Sequence, residues 1–277
     1  MQIVGNPGGL FHLRDGAVIA VDSSGSPGAE TLLLCSGRIS EEDWTAALSG
    51  GAETRSHQAA LIARGTIEST ELQVLAMAAA QDGAFATAAG DIERYLVVDD
   101  DPIDVLLPVP DGVAPDLLLQ ETARRLDALA SLPFPLSPYQ ERVVPVCGTE
   151  SPALTAGRRE IIAHATGRRN ARDIAFAAGR SVYSTTVEIS QMLSEDLLEI
   201  APPATLISPS HWGSTSLRPR AEVERAADPG IDQVTSLPTR RPGRAISDSQ
   251  NNLRPSGWHA LSDLFSLSET ESKHAGL

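Results

Sequence analysis

The sequence predicts an α+β N-terminal domain, a small three-helix module closed by a strand, and a C-terminal tail with no fold of its own. Three observations carry this prediction. Short apolar runs near the start are split by Asp15-Gly16, helically spaced apolar positions follow up to about residue 200, and no sustained period survives beyond residue 203. Of the 277 residues 42% are apolar, enough for a buried core, but only 4% are aromatic. The core is therefore expected to be built from Leu, Ala, Val and Ile.

Residues 1–22 read as strands. Leu10 to Arg14 and Ala17 to Asp22 flank Asp15-Gly16, and an Asp-Gly pair between apolar runs predicts a hairpin because its tight turn needs positive φ. A Ser23–Pro27 turn ends it. Ala29 to Ser36 then reads as a helix stopped by Gly37, and Ser40-Glu41-Glu42-Asp43 resembles a capping box opening a helix through Trp44 and Leu48. The same arrangement returns 28 positions later. Leu33, Gly37, Ile39 and Trp44 align with Leu61, Gly65, Ile67 and Leu72, which predicts two similar helix–Gly–Ile–helix corners packed in one domain. The second helix is expected to stop at Asp82-Gly83, with Ala84 to Thr87 and Tyr95 to Val98 as short strands. Pro115 opens a helix running to about Leu132, with Leu117, Leu118, Ala123, Leu126 and Leu129 as its apolar stripe and Arg124 and Arg125 mostly outside it. Pro133, Pro135 and Pro138 mark a boundary.

The segment from Leu154 to Pro203 is the most informative. Thr155 can cap a helix carrying Ile161 and Ile162, and Asn170 a short helix carrying Ile174 and Phe176. Gly179-Arg180-Ser181 then turns into a longer helix with Val182, Val187, Ile189, Met192 and Leu193, and Leu197 to Ile200 can enter a strand. Three helices with a tight turn before the third, then a strand, is a helix-turn-helix arrangement. The segment resembles the winged-helix domains of MarR-type bacterial regulators through "GRRNARDIAFAAGRS" and "VYSTTVEISQMLSEDLLEI". One position departs from that pattern: before the wing strand, where Gly is common, stands Asp196 or Leu197.

The formal net charge of -14 is unevenly spread. Residues 1–131 hold 7 basic against 20 acidic side chains, 132–203 hold 7 against 8, and 204–277 hold 8 against 8. The overall charge therefore does not exclude nucleic acid from the middle segment. Arg158, Arg159, Arg168, Arg169, Arg172 and Arg180 there face only Glu160 and Asp173 between Leu154 and Arg180. Candidate DNA contacts are Arg168, Arg169, Arg172 and Arg180 toward phosphates, with Ser181, Tyr183, Ser184 and Thr185 at the start of the third helix. Against this, the later turns of that helix carry Glu188, Glu195 and Asp196 and no base, so a module that packs against protein is the competing reading.

The N-terminal segment resembles the PATAN-type domains of bacterial regulators. The stretches that carry the likeness are "PGGLFHLRDGAVIAVDSSGSPGAETLLLCSGRIS" and "LIARGTIESTELQVLAMAAAQDGAFA", and it covers roughly residues 8–131. Combined with the winged-helix likeness, it implies a regulator of the actinobacterial kind that senses or transmits by protein contact. The resemblance implies no chemistry.

Enzyme signatures are not apparent, and neither a cofactor nor a metal is expected. His12, His57, His164, His211, His259 and His274 are isolated, and no glycine loop continues into Lys-Ser or Lys-Thr. Asp99-Asp100-Asp101 reads as a solvated loop, and His164 as a packed or half-buried side chain. Two cysteines, Cys35 and Cys147, suit a reduced compartment, and with no leader or membrane-length apolar run the protein is expected to be cytoplasmic and off the membrane. The expected organisation is 1–131, 136–203 and a disordered tail at 204–277. Within the tail, 257–267 reads as a docking helix for a protein partner, with Trp258, Leu261, Leu264 and Phe265 as its anchors, or as a segment folding back on the protein's own domains. The leading expectation is a non-enzymatic signalling adaptor with a protein partner; the alternative is a sequence-specific DNA-binding regulator acting as a homodimer.

Overall fold

In the computed structural model, which describes residues 1–54, 56–97, 105–146 and 154–202, Asp15 and Gly16 take φ of 52° and 79°. Positive φ at both turn residues matches the strand twist, so β2 (Gly9–Arg14) folds directly onto β3 (Ala17–Ser23). With β1 (Gln2–Asn6) and β4 (Asp91–Leu96) they form an antiparallel sheet in the order β3-β2-β1-β4. The edge at β3 is covered: Val18 and Val113 exchange backbone hydrogen bonds of 2.9 and 2.8 Å, and Val109 N–H donates to Ile19 at 2.8 Å. Ile3, Phe11, Val18 and Val21 point from the sheet into the first apolar core.

The two expected corners are present and equivalent. α1 (Ala29–Cys35) turns into α2 (Glu41–Thr54), and α3 (His57–Ala63) turns into α4 (Ser69–Ala88). Gly37 and Gly65 both have φ of 67°, the left-handed conformation a side chain disfavours at a helix end. Each also donates its N–H three residues back, Gly37 to Leu34 at 3.1 Å and Gly65 to Ile62 at 2.9 Å. Leu33, Ile39 and Trp44 meet Leu61, Ile67 and Leu72 in one buried cluster. At the rim the corners exchange ion pairs: Arg38 with Glu71 at the start of α4, and Arg64 with Asp43 at the start of α2.

The expected stop at Asp82-Gly83 and the expected strand at Ala84 to Thr87 are both corrected by the structure, because α4 continues unbroken to Ala88. Ala76, Ala80, Ala84 and Ala88, four residues apart, lay one stripe of this helix on the sheet. Gly83 belongs to that contact: a Cβ there would lie 2.7 Å from the Val21 carbonyl oxygen. Glycine here permits close helix–sheet approach instead of ending the helix. From Asp82 to Ala88 every residue of α4 is buried, the mark of a helix enclosed on all sides. The strand expected at Tyr95 to Val98 forms earlier, as β4, and α5 (Pro115–Ala130) begins with proline as expected.

The following segment contains α6 (Ala156–His164), α7 (Ala171–Ala178) and α8 (Val182–Ser194). β6 (Leu198–Ile200) pairs antiparallel with β5 (Val143–Pro145), which precedes all three helices. The starts are capped from within: Thr155 accepts from Arg158 N–H, Asn170 from Asp173 N–H and Ser181 from Ser184 N–H. Ile161, Ile174, Ile189 and Met192 form the centre of this core. Asp196 fills the place where Gly is common, with φ of 56°, while Leu197 N–H closes the end of α8 on Met192 at 2.9 Å. Aspartate tolerates the left-handed region better than most side chains, so the turn survives the departure.

The fold of the described residues is α+β, and residues 1–202 belong to one compact unit. A fourth apolar cluster of Phe85, Leu129, Ala175 and Val182 joins α4 and α5 to α7 and α8. Among the described residues no helix is long and apolar enough to cross a membrane. Asp99 to Asp101, Cys147 and everything from residue 203 onward, including Trp258, Leu261, Leu264 and Phe265, lie outside the described residues.

Candidate functional site

The first turn of α8 leaves backbone N–H groups without intrahelical partners, and these form the positive end of the helix dipole. In this protein a distant carboxylate meets them. Asp82 on α4 is fully buried, and its Oδ1 accepts from Ser181 Oγ at 2.7 Å and Tyr183 N–H at 3.0 Å. Its Oδ2 accepts from Val182 N–H at 2.8 Å. Burial pushes the Asp82 carboxyl above its ordinary range, opposed by the three hydrogen bonds and by the nearby Arg125 charge.

Aromatic and guanidinium groups enclose this clasp. The Tyr183 ring stands edge-on to Phe85, with centroids 5.2 Å apart, and Arg125 lies 5.1 Å from its centroid. Arg125 donates through Nε to Glu121 and through Nη2 to Gln81, both at 2.7 Å. Arg124 and Arg125 together hold the Glu121 carboxyl down at about 2, the Arg124 hydrogen bond contributing most. A second set of contacts runs beside the first. Tyr139 donates its hydroxyl to the Ala86 carbonyl, Asn170 Nδ2 donates to Tyr139 O at 2.9 Å, and Arg172 donates to Ser24 O through Nε and Nη2 at 2.9 and 2.6 Å.

The eight residues expected to touch DNA therefore do not line one surface. Ser181 and Tyr183 are in the clasp. Thr185 is fully buried, and Arg172 is turned to Ser24, to Asp173 and over the Phe176 ring. Arg180 donates to Gly157 O at 3.4 Å, and Arg169 Nη1 lies 2.8 Å from His164 Nδ1. Ser184 and Arg168 remain exposed. Glu188 and Gln191 follow Ser184 along the outer face of α8, and Glu195 caps its C-terminal end. Arg158 reaches across from α6 to both glutamates, at 2.6 Å to Glu188, so it neutralises that face and is itself occupied.

Two residues central to the clasp escaped the sequence reading. Asp82 was visible as a lone acid inside an alanine-rich run, a signal for a buried, partnered carboxylate that its Gly83 neighbour disguised as a helix stop. Arg125 lies off the apolar stripe of α5, yet its side chain is only 12% exposed, with Tyr183 of α8 and Gln81 of α4 against it. Among the described residues no three His, Cys, Asp or Glu side chains are grouped as a metal ion would need. Compared with family models, curated proteins and solved structures, the chain finds no match.

Proposed function

We propose that the chain is a non-enzymatic cytoplasmic regulator or adaptor, with a PATAN-like signalling domain over 1–131 and a winged-helix-type output module over 136–203. The observation that carries this reading is the Asp82 clasp on the start of α8. In a helix-turn-helix reader the third helix enters the major groove by its N-terminal residues. Here Ser181, Val182 and Tyr183 are engaged with Asp82 of α4, and the outer face of α8 presents Glu188 and Glu195, both paired with Arg158, and no free base. A module held this way works through protein contact, and the clasp is the route by which the N-terminal domain reaches the output module.

The test separates this from a DNA-reading regulator. Fluorescence anisotropy of the full chain with pooled genomic duplexes, at low and at physiological salt, is expected to show no specific binding. Specific, salt-sensitive binding that is lost when Arg168, Arg169 and Arg180 become Ala would replace the adaptor reading with the DNA reading. The tail is tested separately. Trp258→Ala with Phe265→Ala should weaken capture of the protein partner and leave the melting transition unchanged; a lowered transition would make the segment part of the fold.

A further inference from the structure

The first residue of α3 faces inward. Ser56 caps that helix, its Oγ accepting from Ala59 N–H at 3.1 Å, and His57 then places an imidazole in the apolar core of the corners. The residue is 6% exposed, and its ring stands edge-on to Trp44 with centroids 4.2 Å apart. Neither ring nitrogen has a hydrogen-bond partner among the described residues. The Ala47 carbonyl lies nearby without meeting hydrogen-bond geometry. A leucine would fill this place without two unpaired polar atoms, whose burial costs stability.

A proton on this ring meets three obstacles. The imidazolium would be buried, its two N–H groups would lack acceptors, and it would sit at the positive end of α3. The charges around it oppose these weakly. From α1 the Glu30 carboxylate favours the charged ring, and that residue is itself exposed to solvent. On α2, Asp43 is engaged by Arg64 and Ser40 Oγ, while Glu41 and Glu42 are exposed. On α4, Glu71 is engaged by Arg38, and Glu68 is exposed. Leu107 brings an apolar side chain. Burial prevails, and it holds the pKa below the ordinary 6.5.

The helices beside His57 differ in how they are held. α4 lies along the sheet and carries Asp82. α1 ends with Cys35 so near Gly179 that a Cβ on the glycine would overlap the Cys35 Cβ. By contrast α2 and α3 pack mostly on each other, meeting α1 and α4 through the cluster of Leu33, Trp44, Leu61 and Leu72. We propose that His57 is a pH-sensitive latch, whose protonation in mild acid lifts the α2–α3 pair from α1 and α4 and bares that cluster. The open form solvates the ring and takes the proton first. Below pH 6.5 the ratio of open to closed chains therefore rises by up to about tenfold per pH unit, until the closed form also titrates. The latch belongs to the corners alone, so it and the adaptor reading fail independently.

The experiment uses the full chain with Trp212→Phe and Trp258→Phe, which leaves Trp44 as its single tryptophan. Trp44 emission and amide hydrogen exchange by mass spectrometry are followed from pH 7.5 to pH 5 without denaturant. Exchange is corrected for its intrinsic dependence on pH. Emission is expected to shift to the red and protection across α2 and α3 to fall about tenfold or more, while α8 stays protected. His57→Gln and His57→Leu should both remove the pH response, the first keeping a polar side chain and the second an apolar one. Unchanged emission and protection in the parent chain overturn the proposal. So does a response that survives in either variant. A loss of protection as large in α8 also overturns it, since that would report acid unfolding of the whole chain.

Discussion

The corners of α1–α4 and the α4–α8 clasp both lock helices together, and they place charge in opposite positions. The corners have an apolar centre of Leu33, Ile39, Trp44, Leu61, Ile67 and Leu72, with the Arg38–Glu71 and Arg64–Asp43 pairs at the rim. The clasp has a carboxylate at its centre, fully enclosed, with Phe85 and Val182 beside it. A rim ion pair adds little because water competes with it. A buried carboxylate is different. Its desolvation is offset only by donors in fixed positions, so it accepts one docking geometry and penalises neighbouring ones. Apolar packing holds the corners together, while the polar centre of the clasp sets which face of the module meets α4.

The largest effect is expected at Asp82. Asp82→Ala leaves the Ser181 hydroxyl and two N–H groups of α8 without their acceptor, a loss of about 4 kcal/mol in urea unfolding at neutral pH. Asp82→Asn keeps one acceptor oxygen and should cost less. A cost below about 1 kcal/mol for the alanine variant would remove the clasp from any account of docking specificity.

Next come Leu33→Ala and Leu61→Ala, which occupy equivalent places in the two corners. Each should cost about 2–5 kcal/mol by chemical denaturation, and by similar amounts if the corners are equivalent in energy as well as geometry. A large inequality between the two would break that equivalence.

A smaller effect separates the two regions by pH. His57 is buried edge-on to Trp44, ring centroids 4.2 Å apart. Burial lowers its pKa below the ordinary 6.5, against the Ala47 carbonyl and the Glu30 charge. The unfolded chain therefore takes up the proton first, and the stability due to neutral His57 is lost as pH falls from 6.5 through the lower folded value. Asp82 has the opposite sign: its folded pKa lies above the ordinary 3.8, so its contribution grows as pH falls through that interval. Mild acid should loosen the corners before the clasp. Urea midpoints at pH 7 and pH 5 should differ less in His57→Leu than in the parent chain, and an identical difference would sink the idea.

Arg38→Ala and Arg64→Ala should have the smallest effect, within about 1 kcal/mol by thermal melting, as for other exposed pairs. A larger loss from either would mean the rim pairs fix the corners' geometry as the clasp fixes the module's.

Legibility in the sequence followed the range of each interaction. The hairpin turn at Asp15-Gly16 and the caps at Thr155, Asn170 and Ser181 depend on a few adjacent residues, and the structure contains all of them. The corners were legible because two windows of the chain repeat the same apolar and glycine positions. Gly83 reads as a helix stop because a glycine that stops a helix and one that lets a sheet approach look alike in sequence. Thr185 reads as a contact residue from its place in the helix, whereas the fold leaves it fully buried.

By itself the sequence determined where helices and strands start and stop wherever a cap, a turn or an apolar period decides the matter within one or two turns. It also determined the concentration of acid in residues 1–131 and of clustered arginine in the module. Tertiary structure alone decided that Asp82 reaches Ser181, Val182 and Tyr183 across about a hundred residues, and that Arg142 bridges Asn170 at the start of α7. The physical reason is that burial and hydrogen-bond partnership belong to pairs of surfaces. A carboxylate has the same intrinsic chemistry anywhere in the chain, and the helix end placed against it decides whether it is solvated, paired or structural.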